Sequence, residues 1–148
     1  MGRGNPVTAT LDALSGFKVR GSLPADLIPT DRIIQRWYVS VTGFLPSERW
    51  DEARKAKLSP LNDTLSIIVD QIIARAPERR NEIIWAWYGT PAPTRIIAEE
   101  LGVSSSMLKL ELHSTLQYML LKFKTNGHPE LLRLLLVHAR EALQEPGR

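Results

Sequence analysis

The stretch TRIIAEELGVSSSMLKLEL, from Thr94 to Leu112, decides how the chain is read. Ala98 falls where two helices would cross, a place where only a small side chain lets the backbones approach. Four residues later Gly102 can take the positive φ that a tight turn between helices demands. Ile97, Leu101, Val103 and Leu108 can pack the inner faces, and the Ser104 hydroxyl can cap the second helix. The pattern predicts a helix-turn-helix over about 94–124, with helices at about 94–101 and about 104–124.

The same periodicity extends in both directions. Upstream, Thr30 can N-cap a first helix that has Asp31 in its first turn. Ile33, Ile34, Trp37, Tyr38 and Val41 supply its apolar face, and Gly43 can close it. Residues 44–58 read as a loop holding a short helix. Ser59-Pro60 opens the next helix. Leu61, Leu65, Ile68, Val69, Ile72 and Ile73 give it an apolar face. Pro77 opens another, with Ile83, Ile84, Trp85, Trp87 and Tyr88 and a left-handed C-cap at Gly89, and the two read as an antiparallel pair. Downstream, Asn126-Gly127 and Pro129 punctuate a leucine-rich helix over about 129–144. With no strand signal, the expectation is an all-α fold of five or six helices: an N-terminal arm over 1–29 and one helical domain over 30–148.

Composition narrows the classes further. The chain has 148 residues and is 43% hydrophobic, enough for one core. Nineteen Lys and Arg against sixteen Asp and Glu leave +3, so any surface for nucleic acid must come from local arrangement. Zero cysteines exclude disulfides, thiol catalysis and thiolate zinc sites, while His113, His128 and His138 are too widely spaced for a helical metal pair. Asp63 and Asp70 lack a partner base and read as solvated acids. No P-loop, dinucleotide fingerprint or catalytic triad is present, so no enzyme activity, cofactor or metal is expected. No signal peptide or membrane-spanning run is seen either, which places the chain in a reducing cytoplasm.

The outward positions near the start of the second helix of the motif are Ser104, Ser105, Ser106, Lys109 and His113. Short hydroxyls there can donate to phosphates or bases, a helix N-terminus attracts phosphate, and Lys109 adds a point charge or a contact to guanine. Arg95 is placed to neutralise a backbone phosphate. Glu99, Glu100 and Glu111 oppose this by leaving the motif weakly basic, and Leu110 would face DNA, solvent or a protein. Trp50, flanked by Arg49 and Arg54 in a polar run, is a candidate protein or nucleic-acid contact. Trp37 and Trp85 read as core. Arg75, Arg79 and Arg80 cluster at a helix joint, where they suit either a phosphate or helix-end electrostatics.

The run from Val69 through Tyr118 resembles the late antitermination proteins Q of lambdoid phages, in their zinc-free branch. The residues that carry the likeness are Val69-Asp70, Ile73-Ala74, Pro77-Glu78, Glu82-Ile83, Tyr88-Gly89, Arg95, Ile97-Ala98, Ser104 and Met107-Leu108. Arg36-Trp37 is similar to a pair near that branch's N-terminus. The likeness covers about a third of the chain well and a further fifth loosely. It implies a phage or prophage factor in a bacterial host. Such a factor binds promoter DNA through a helix-turn-helix similar to sigma factor region four, loads onto paused RNA polymerase and keeps terminator hairpins from forming. Some members act as two protomers on one enzyme. By position, the DNA contacts would be Ser104, Ser105, Ser106, Lys109 and His113, with Arg95 on the backbone, and the remainder of the helical body would meet polymerase; Trp50, Arg49 and Arg54, from their place in a polar run, are candidate polymerase contacts. The family's reading helix is richer in Lys and Arg than this one. Two other readings stay open on the residues themselves: a helix-turn-helix initiation regulator or packaging adaptor, and a helical interaction protein that does not bind DNA.

Overall fold

The computed structural model describes residues 23–43 and 59–144. Among them the chain is all-helical. A 3-10 turn at Ala25–Leu27 leads into α1 (Ile28–Thr42), followed by α2 (Asp63–Ala74), α3 (Glu78–Gly89), α4 (Thr94–Glu100), α5 (Ser105–Asn126) and α6 (Pro129–Gln144). The expected short helix in 44–58, with Trp50, Arg49 and Arg54, lies outside the described residues, as does the N-terminal arm over 1–22.

α5, about 33 Å long at about 1.5 Å per residue, runs through the middle. Its ridge of Leu108, Leu112, Leu116, Met119 and Phe123 is buried, and α1, α2, α3, α4, α6 and the 3-10 turn all pack on it. α6 lies chiefly along α1, burying Leu131, Leu135, Ala139 and Ala142. The leucine-rich helix therefore completes this chain's own core.

Several helix boundaries differ from the sequence reading for local reasons. α1 starts two residues before Thr30, because the 3-10 turn runs straight into it and Pro29 suits a first turn, where no N–H is needed. The last residues of the expected arm, Ala25 and Leu27 to Pro29, are therefore buried structure. α2 starts at Asp63 and not at Pro60, since the Asn62 side chain caps it by accepting from the Leu65 N–H at 2.9 Å. Gly89 is helical, with no left-handed cap. What its missing side chain permits is contact with Tyr38, whose Oη would lie 3.3 Å from an added Cβ. The antiparallel pairing expected of α2 and α3 is replaced by packing of α2 on α1 and α5 and of α3 on α5 and α1.

Tryptophan placement is mixed. Trp37 is fully buried, and its Nε1–H donates to Asp70 Oδ1 at 3.1 Å. The expected solvated acid is thus a hydrogen-bond partner for the core indole, which must find an acceptor when buried. Trp85, expected in the core, is 43% exposed. Its ring meets Trp37 edge-on at 5.0 Å and Tyr38 at 6.1 Å, covering one side of α1.

Asp31 and His138 are buried titratable groups among the described residues, one on each side of α1. The buried Asp31 carboxylate accepts from Tyr88 Oη at 2.5 Å and from Gln35 Nε2 at 2.8 Å. On the other side of α1, Arg36 reaches His138 Nε2 at 3.1 Å, while His138 Nδ1 lies 2.7 Å from Glu141 Oε1. A guanidinium only donates, so Nε2 is the acceptor and the neutral ring carries its proton on Nδ1, facing the carboxylate. Burial, the largest influence, lowers the His138 pKa from its ordinary value of 6.5; Glu141 opposes this, and Arg36 and Arg32 add to it. The unfolded chain thus takes up this proton at higher pH than the folded one. The contribution of a neutral His138 is present above about pH 6.5 and is lost as pH falls toward the lower folded value. We expect the stability difference between wild type and His138→Gln, measured by urea denaturation, to shrink as pH is lowered below 6.5. A difference independent of pH would contradict this assignment.

Candidate nucleic-acid interface

The joint between α4 and α5 is a Schellman turn. Leu101 is the C-cap of α4; the Gly102 N–H donates to Glu99 O at 3.1 Å, and the Val103 N–H to Ala98 O at 3.0 Å, with Gly102 at φ +75°. Ala98 and Ile97 are buried beneath it, and Leu101 and Val103 pack against the same core. Ser104 then caps α5, its Oγ accepting from the Met107 N–H at 3.1 Å. Gly102 thus has the positive φ and Ser104 the capping role read from the sequence, while Ile97, Ala98 and Leu108 are buried and Leu101 and Val103 half-buried.

A clamp from α3 holds the joint. Arg79 spans both helices: its Nε and Nη2 donate to the two Glu111 oxygens at 2.8 and 3.0 Å, and Nη2 also reaches Leu101 O at 3.3 Å. The Arg79 hydrogen bond holds the Glu111 carboxyl below the usual carboxylate range. Glu111, counted from the sequence against a DNA role, is thereby turned aside. Two residues apart on a helix means about 160° between side-chain directions, so Lys109 and Glu111 point away from each other.

Ser104, Ser106 and Lys109 are exposed, and Ser105 and His113 half-buried, all within the first ten positions from the α5 cap. The cap uses the Ser104 oxygen as acceptor and leaves its hydroxyl proton to donate outward. The first N–H groups of α5 lack helical partners and point the same way. Arg95, at the start of α4, is exposed and paired with Glu99 at 3.1 Å, an i,i+4 bridge between solvated groups that holds it loosely. Leu110 is 63% exposed, on the outward side opposite the buried ridge.

Sequence reasoning missed two features of this surface. One is the Arg79 clamp. The other lies on the far flank of α5, where Arg80 sits over the Tyr118 ring at 4.9 Å and donates to Ser114 Oγ at 3.1 Å, with Lys122 Nζ 5.4 Å from the same ring. The Arg79–Glu111 and Arg80–Tyr118 contacts join residues more than thirty positions apart, which no local pattern signals, whereas Lys122 and Tyr118 are four apart on one helix. Among the described residues, no group of three or more His, Asp or Glu could hold a metal ion, and no helix is long and apolar enough to cross a membrane. No family model, curated protein or solved structure matches the chain.

Adding a Cβ at Gly102 meets nothing within 4 Å, so the cost of a substitution is backbone strain alone. Gly102→Ala should destabilise the protein by about 1 kcal/mol and Gly102→Asn by less, because asparagine tolerates the left-handed region. Thermal denaturation of the two variants checks both the size and the order.

Proposed function

We propose that the α4–α5 unit is a helix-turn-helix that binds duplex DNA, with α5 as the reading helix. The observation that carries this reading is the N-terminus of α5. There a capped, solvent-facing helix start presents three serine hydroxyls and Lys109, while the one acid among them, Glu111, is drawn away by Arg79. Hydroxyls and free N–H groups suit phosphate and base edges, and a cation beside them suits phosphate or guanine. Arg95 contributes a backbone contact at the cost of its loose pair with Glu99.

The resemblance to the late antitermination proteins Q extends this reading. On it, the protein is a phage or prophage transcription antitermination factor. It binds late-promoter DNA and bacterial RNA polymerase, with or without its sigma factor, and acts by occlusion and positioning without covalent chemistry in the bacterial cytoplasm. Trp50, Arg49 and Arg54 are its proposed polymerase contacts. An initiation regulator or packaging adaptor using the same motif would bind DNA without affecting terminators.

In vitro transcription with host RNA polymerase on the DNA that follows the gene separates these. More terminator readthrough at unchanged initiation is the result expected of the proposal. Altered initiation alone, or no change, would refute antitermination. In the same assay and in direct DNA binding, Lys109→Ala with Ser105→Ala should weaken the effect and lower the salt dependence of binding by about one unit in the log–log slope. An unchanged affinity would remove α5 from the interface.

A further inference from the structure

We infer that the flank of α5 built by Arg80, Ser114, Tyr118 and Lys122 is a second phosphate-binding site, one that grips the DNA strand across the major groove from Lys109. This inference rests on the reading of α5 as a groove-binding helix. At about 100° per residue, Leu110, Gln117 and Leu121 fall within about 20° of one outward line. Lys109 and His113 lie about 60–100° to one side of it, and Tyr118 and Lys122 about 80–120° to the other. The helix therefore carries cations on both flanks.

The far flank has the chemistry of an anion site. Arg80 from α3 and Lys122 from α5 converge on a single aromatic ring, at 4.9 and 5.4 Å from its centroid. Neither cation is bridged to a carboxylate among the described residues; the nearby acid, Glu111, is engaged in a bidentate pair with Arg79. The Ser114 hydroxyl receives a guanidinium N–H and so has its own proton to donate. A phosphate laid against this flank would meet the Arg80 guanidinium and the Ser114 hydroxyl, with the Lys122 ammonium on the same ring adding its positive charge.

Groove dimensions fit this two-sided grip. The major groove of B-DNA is about 12 Å wide, close to the about 10–12 Å diameter of a helix with its side chains. A helix lying in it brings its opposite flanks to opposite phosphate walls. The outward line of Leu110 and Gln117 then faces the base edges.

The test is the salt dependence of binding to random-sequence duplex DNA by the full chain, followed by fluorescence anisotropy. Each phosphate neutralised contributes about 0.9 to the slope of log K against log salt. Arg80→Gln with Lys122→Gln should therefore lower the slope by about one to two units, while Arg80→Lys, which keeps the charge, should restore most of the Arg80 share. The loss should be equal on different sequences, as a backbone contact requires. A slope within about half a unit of wild type, with the Lys109→Ala variant still impaired, would overturn this site and leave the α5 reading intact. No salt-dependent duplex binding by the wild type would overturn both. Circular dichroism melts of each variant exclude a folding defect, since all four residues lie on the surface of packed helices.

Discussion

One buried ridge governs the arrangement. Leu108, Leu112, Leu116, Met119 and Phe123 project from one side of α5 into the core, and each of the other helices among the described residues packs on α5. Burying a side chain of this kind contributes about 1.5–3 kcal/mol, so rotating α5 to present a different face would expose several such groups at once. The ridge thereby fixes which residues point outward: Ser106, Lys109, Leu110, His113 and Gln117. A helix that serves as core on one side and as contact surface on the other has its surface set by its core, and the proposed DNA interface is the complement of the hydrophobic one.

The ends of α5 and its neighbours are set by polar interactions that work with the ridge. The Schellman turn at Gly102 and the Ser104 cap satisfy the backbone groups where α4 stops and α5 starts. Arg79 ties both to α3, which fixes the approach of α4 without occupying the outward face. On the other side of the molecule, α1 joins the core through Trp37, hydrogen-bonded to Asp70, and joins α6 through Arg36 and His138. The Arg36-Trp37 dipeptide thus spans two interfaces at once: Arg36 also donates to the Ser59 carbonyl, at the entry to α2.

Much of this was legible in the sequence because helical signals are local. The α4–α5 turn follows from Ala98, Gly102 and Ser104, each within a few residues of its effect, and α6 was expected over the range it occupies. Two boundaries shift for local reasons, Thr30 yielding the helix start to the adjoining 3-10 turn and Pro60 yielding to the cap at Asn62. Other differences depend on distant partners, as at Gly89, which lies against Tyr38 and does not form a turn. Trp85 has an apolar side chain in an apolar run, yet it lies over Trp37 and Tyr38 with its outer side in solvent. The pairing of Glu111 with Arg79, thirty-two positions earlier, is likewise invisible in the local pattern.

On the proposed function, the outward face of α5 meets duplex DNA. Backbone amide NMR spectra of the protein titrated with duplex DNA at low salt test it residue by residue. Shifts are expected at Thr94 and Arg95 and along the outward face of α5 from Ser104 onward, with the amides of α6 unmoved. Shifts confined to α1 and α6, or none anywhere at saturating DNA, would contradict it.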